Sequence, residues 1–117
     1  MATSIKTQGQ NLTLYQGSTF EKTFVTKNAN SQNVSISTGS CFSQMRKNYT
    51  TTNTSLILTF TTSILGSNVT ISASATDTAN IPSGLYVYDV EYLQSDGITK
   101  ERIVDGMITV IPEATKI

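Results

Sequence analysis

The stretch Ile81-Pro82-Ser83-Gly84-Leu85-Tyr86-Val87-Tyr88-Asp89-Val90-Glu91-Tyr92-Leu93 decides the fold. From Leu85 to Leu93 the side chains alternate with a period of two, the repeat of an extended chain. Tyr86, Tyr88, Val90 and Tyr92 form one bulky apolar face. Asp89 and Glu91 stand on the other, which must therefore be solvated or ion-paired. Pro82 disfavours helix at Ile81 and so fixes where the strand can begin. Ser95-Asp96-Gly97 reads as a hairpin turn, with Gly97 available for positive φ. The return strand, 98–111, carries Ile103, Val104, Ile108 and Val110. Gly106 interrupts it and predicts a bulge or a close backbone approach. Pro112 stops the ladder.

Working back toward the N-terminus, residues 73–80 (ASATDTAN) are the one helical candidate, a single turn near residues 74–80 capped by Ser74 or Thr76. Val69 and Ile71 sit two apart on a strand that follows the turn Gly66-Ser67-Asn68. Residues 55–61 alternate, which predicts one strand with Leu56, Leu58 and Phe60 inward. Residues 48–54 are a polar loop. Residues 40–47 read as a central strand with Cys41, Ser43 and Met45 inward and Phe42, Gln44 and Arg46 outward. Residues 33–37 are a weak strand or loop carrying Val34 and Ile36, after a turn at 27–32. Residues 18–26 form a strand in which Lys22 shares the face of Phe20 and Phe24. Either Lys22 lies at the rim or a bulge shifts the phase. Residues 11–16 are a short first strand through Leu12 and Leu14.

About seven to eight short antiparallel strands with turns every 8–12 residues predict an all-β chain. The expected architecture is an immunoglobulin-like β-sandwich, one domain over 11–112. A flexible N-terminal arm at 1–10 precedes it and a tail at 113–117 follows. The segment around Gly84-Leu85-Tyr86-Val87-Tyr88 resembles the tyrosine corner of such sandwiches, where a Tyr bonds back to the preceding loop backbone. Tyr86 is the candidate corner residue, and Tyr88 takes the position that antibody domains give to a disulfide cysteine. The plainer alternative is that Tyr86 is only a core aromatic.

Size and composition agree with one small domain. The chain has 117 residues and a mass of 12.7 kDa. Area scaling gives roughly 6,200 Å² folded against roughly 18,400 Å² unfolded, enough burial to fold without a staple. Eight Lys and Arg cancel eight Asp and Glu, which argues against nucleic acid or an anionic membrane as partner. Charged residues are only 14%, and 20 Thr, 14 Ser and 8 Asn supply the polarity instead. Histidine is absent, which removes His-based triads and His metal sites. Cys41 is the only cysteine, so intrachain disulfides and Cys-cluster metal sites are excluded. No apolar run is long enough to span a membrane, and MATSIKTQGQ does not read as a secretory signal.

Candidate chemistry is sparse. Asp89 and Glu91 are two apart on one strand face, roughly 7 Å from each other. A glycosidase could use such a pair, given a cleft and one raised pKa. Solvated outer-face residues account for them more simply. Asp105 before Gly106 reads as a turn or bulge residue, and Cys41 as a small buried hydrophobe. Phosphate-binding glycine loops and Gly-x-Ser-x-Gly are absent. Five Asn-x-Ser/Thr triplets, at Asn11, Asn33, Asn48, Asn53 and Asn68, are what this composition supplies by chance. Arg46-Lys47-Asn48-Tyr49 and Lys100-Glu101-Arg102 are the two basic clusters; surface salt bridges are the default reading, and a subunit contact through Arg46, Lys47 and Tyr49 is the sharper one. No catalytic residue, cofactor, metal or small-molecule substrate is expected, and no enzymatic activity.

Three groups of residues carry a resemblance. They are Gln16-Gly17-Ser18-Thr19-Phe20 with Thr23-Phe24-Val25, then Ser43-Gln44-Met45-Arg46-Lys47-Asn48-Tyr49, then the run from Ile81 to Glu91 with Ser95-Asp96-Gly97, Gly106 and Thr109-Val110-Ile111-Pro112-Glu113. In this order, over about residues 14–115, they resemble the small immunoglobulin-like virion structural proteins of tailed bacteriophages. More distantly they resemble the N-terminal domain of phage baseplate upper proteins. Residues 27–40 depart from that family's pattern. The resemblance implies a virion component of the tail, baseplate or particle surface. It would be assembled in the host bacterial cytoplasm and would dock on other virion proteins in multiple symmetric copies. The alternative expectation is a carbohydrate- or host-surface-binding module, motivated by Tyr49 in a Thr-rich loop and Tyr92 near a hairpin.

Overall fold

A computed structural model describes residues 5–115. Among the described residues the chain is all-β apart from one 3-10 turn and one helix of five residues. Nine strands are arranged in chain order. They are β1 (Gln8–Gly9), β2 (Leu12–Tyr15), β3 (Phe20–Val25), β4 (Ser40–Arg46), β5 (Ile57–Thr59), β6 (Thr61–Leu65), β7 (Asn68–Ala73), β8 (Gly84–Leu93) and β9 (Lys100–Ile111). The helix α1 (Ala75–Ala79) lies between β7 and β8, and Ser74 caps it by accepting from the Asp77 N–H.

The strands form a six-stranded sheet and a three-stranded sheet. The larger runs β1-β9-β8-β4-β5, with β2 also on β9; the smaller runs β3-β7-β6. All pairings are antiparallel except those of β1 and β2, which run parallel to β9. The expectation of a purely antiparallel chain is corrected at this edge. The chain enters alongside its own last strand, so two segments distant in sequence run the same way without needing a crossover helix. Of the expected N-terminal arm, residues 1–4 lie outside the described residues. Residues 8 and 9 pair with β9. Residues 116 and 117 of the expected tail also lie outside the described residues.

One apolar cluster joins the two sheets. Leu14, Met45, Tyr86, Tyr88, Val90, Ile108 and Val110 come from the larger sheet, and Phe24, Val69 and Ile71 from the smaller. Alternation along β4 and β8 puts every second residue into this layer, as period-two patterning requires. Val34 and Ile36 are buried although their segment is a loop held by an isolated bridge between Lys27 and Asn33.

Three local expectations change. Residues 55–61 are not one strand: Thr54–Leu56 is a 3-10 turn, β5 ends at Thr59, and β6 begins at Thr61 in the other sheet. Phe60 is the buried pivot at which the chain changes sheets. Its alternation therefore continues in sequence while its hydrogen bonding does not. β6 is an edge strand with no fully buried residue, and Ile64 alone of its side chains packs against the core. Lys22 needs no bulge, because β3 pairs with β7 in unbroken register. Its stem lies on the core-facing side and its Nζ reaches 6.0 Å from the Phe24 ring centre.

Candidate functional site

The outer face of the larger sheet is built by register. β4, β8 and β9 align Arg46 with Val87 and Met107, Gln44 with Asp89 and Asp105, and Phe42 with Glu91 and Arg102. Beyond Met107 the rungs continue as Leu85 with Thr109 and Thr13, then Ile111 with Tyr15. The rungs of Asp89, Glu91 and Arg102 gather the charge, with exposed Phe42 beside them, and the rungs beyond gather Tyr15, Leu85, Met107 and Ile111.

A bulge in β9 makes the charged end. The pairing steps from Val90 with Val104 to Glu91 with Arg102, leaving Ile103 as the extra residue. Without it, Ile103 would face outward beside Glu91. With it, Ile103 and Val104 are both buried and Arg102 stands on the outer face. Of the two readings of Gly106, a bulge or a close backbone approach, the second holds. A Cβ there would run into the carbonyl of Gln10, and the Asn11 Oδ1 accepts the Met107 N–H at 3.1 Å.

Gln44, Arg46, Tyr49, Asp89, Glu91 and Arg102 line a shallow trough of about 320 Å³. Arg102 pairs with Asp89 at 3.4 Å and Asp105 at 3.6 Å. Arg46 is pinned: it donates to the Thr51 carbonyl at 2.6 Å and to the Gln44 Oε1 at 2.7 Å. Burial raises the Asp89 pKa, and the neighbouring Glu91 charge adds to the rise, while Arg102 and Arg46 oppose it. Among the described residues the Glu91 carboxylate accepts no hydrogen bond from protein and is open to the trough, whereas the Asp89 carboxylate is engaged by Arg102. No cluster of three or more His, Cys, Asp or Glu is placed to hold a metal ion among the described residues. The Cys41 thiol is buried, which pushes its pKa up to about 12 and keeps it protonated at neutral pH.

The sequence-predicted residues fall in two places. The Tyr86 hydroxyl donates to the Pro82 carbonyl at 2.7 Å, back into the loop before its own strand. The Tyr88 hydroxyl reaches the Gln10 carbonyl at 2.7 Å. Gly84, at φ 140°, leaves room for Lys47, whose Nζ sits 5.0 Å from the Tyr86 ring centre. Lys47 is thus engaged within the chain, Arg46 is tied to its own loop, and Tyr49 is exposed at the trough rim. Tyr92 is buried, not displayed, which removes half of the motive for surface recognition there. Tyr15, Leu85, Met107 and Ile111 were not singled out by sequence. Their signal was phase, since each alternates with a core residue and so must face outward.

No known family profile and no curated protein matches the chain. Among solved structures it is similar to a family 123 glycoside hydrolase from Clostridium perfringens, studied for the details of glycolipid glycan hydrolysis. The identity is 13%, the match covers 91% of this chain and 23% of that chain, and the TM-score is 0.44. This chain therefore spans about a quarter of that protein's length. The expectation of a chain with no enzymatic activity is corrected on this finding, because the matched structure belongs to an enzyme. The exclusion rested on missing histidine and nucleophile motifs, which leave carboxylate chemistry untouched. A likeness of this strength carries no assignment of activity to this chain.

Proposed function

We propose that the chain is an immunoglobulin-like β-sandwich that docks on protein neighbours through the outer face of its larger sheet. In this reading it is a structural component of a tailed-phage virion, in the tail, baseplate or particle surface, and meets other virion proteins in repeated copies. The observation that carries it is the apolar end of the face. Tyr15, Leu85, Met107 and Ile111 lie on adjacent rungs and are 59%, 48%, 39% and 38% exposed. Side chains of this size left in water on neighbouring rungs mark a surface that gains by being covered. The Tyr86 bond to Pro82 has the form of a tyrosine corner and supports the immunoglobulin-like assignment. Cancelled net charge lets identical copies pack closely without mutual repulsion.

Mass spectrometry of purified virions, washed free of loosely bound protein, tests the reading. The chain is expected there in stoichiometric amount with the other structural proteins. Its absence from the washed particles overturns the proposal.

A further inference from the structure

We propose that the trough at the charged end of the same face binds a neutral pyranose sugar. The site is independent of the apolar end and goes beyond the docking role. Four observations converge on it. First, its lining carries both signs: Arg46 and Arg102 face Asp89 and Glu91, and Asp105 engages Arg102 from beside the trough, so no positive charge is left in excess for an anionic ligand. Second, the lining offers both kinds of hydrogen-bond partner in one concavity. The Glu91 carboxylate accepts no protein hydrogen bond among the described residues, and Asp89 meets only the Arg102 guanidinium. Arg102 is held by ion pairs at 3.4 and 3.6 Å without a directed hydrogen bond. Vicinal hydroxyls, which donate and accept from adjacent atoms, match that pattern; a peptide side chain or a phosphate matches only half of it.

Third, Tyr49 stands at the rim, 62% exposed, with a ring face that can cover the apolar side of a sugar at small entropic cost. Fourth, the site is already ordered. Arg46 is fixed by Thr51 and Gln44, and the Asn48 side chain accepts the Thr50 N–H while the Thr51 hydroxyl accepts the Asn48 N–H, closing the loop that carries Tyr49. The bulge at Ile103 is what delivers Arg102 to this place.

The test is amide-resolved NMR titration of the isotope-labelled chain with methyl glucoside, methyl galactoside and their N-acetylamino counterparts, each up to high millimolar concentration. Glycerol, glucosamine and glucuronic acid serve as controls. Shifts are expected for at least one neutral pyranoside, confined to residues 44–51, 87–91 and 102. Tyr49→Ala and Glu91→Gln are each expected to weaken binding about tenfold, the scale of one lost charge-assisted hydrogen bond or ring contact, without altering the melting temperature. A free sugar and the terminal residue of a surface glycan share this chemistry. A glycan array read beside the titration separates them: array binding together with the amide shifts points to the terminal residue of a surface glycan, and the amide shifts alone point to a free sugar. The proposal is overturned if no pyranoside shifts these amides, if glycerol shifts them equally, if a charged sugar binds more tightly, or if both variants bind unchanged.

Discussion

Tyr88 serves two ends of the chain at once. Its ring is buried between the sheets, and its hydroxyl holds the Gln10 carbonyl at the joint between β1 and β2. That same carbonyl sits against Gly106, where any Cβ would strike it. Gly106→Ala is therefore expected to cost about 1–3 kcal/mol, the range of locally imposed backbone strain. The loss should be visible as a lower urea midpoint together with faster amide exchange over residues 8–15. Tyr86→Phe removes only a hydroxyl and its bond to Pro82, and should cost about 1 kcal/mol in the same assay. The buried phenol and thiol also set the response to alkali. Burial raises the pKa of Tyr88, with Asp105 adding to it, and raises Cys41 to about 12. Unfolded, these groups ionise near pH 10 and about pH 8.5. Their contribution is complete below the unfolded values and is lost as pH rises toward the folded ones, because the unfolded chain releases protons first. Urea midpoints should fall between neutral pH and about pH 11, and Cys41→Val should flatten the early part of that fall.

At the scale of elements, Thr78 locks α1 to the start of β3. It is fully buried, its hydroxyl donates to the Ser18 carbonyl at 2.8 Å, and it accepts the Gly17 N–H at 3.1 Å. Thr78→Val keeps the shape and strips both partners. A loss of about 1–3 kcal/mol is expected from the groups left unpaired, measured by thermal and urea unfolding. The helix itself was readable in the sequence, because Ser74 followed by small residues and ended by Ile81-Pro82 is local information. So was β8, whose three tyrosines and Val90 keep strict phase. What could not be read depended on partners far along the chain. The parallel docking of β1 and β2 on β9 joins the two ends of the sequence. The sheet change at Phe60 leaves the alternation intact and alters only which strand is paired. The bulge at Ile103 hid in two adjacent apolar residues, Ile103 and Val104, that one strand face cannot both bury. The trough was invisible for the same reason: Arg46, Glu91 and Arg102 become neighbours only once β4, β8 and β9 are in register.

Taken whole, the molecule has cancelled charge, one outer face divided between an apolar end and a charged end, and an elongated form of 49 × 25 × 21 Å. Association through the apolar end should then be insensitive to salt. With eight positive and eight negative charges there is no net repulsion to screen. Leu85 is the residue to change, because it lies mid-row between Thr109 and the edge of β4 and is about half exposed. Its side chain touches no core layer, so Leu85→Glu should leave the melting temperature within the small range of surface substitutions, about 0.5 kcal/mol in stability. Placing a carboxylate at the centre of an apolar contact forces its desolvation, which interfaces of this kind do not tolerate. Sedimentation velocity over rising concentration is therefore expected to show reversible association of the unaltered chain, equal in low and high salt, and a monomer for Leu85→Glu. Association that weakens steeply with salt would place the contact at the charged end, and association that survives the substitution would place it elsewhere than on the row of Tyr15, Leu85, Met107 and Ile111.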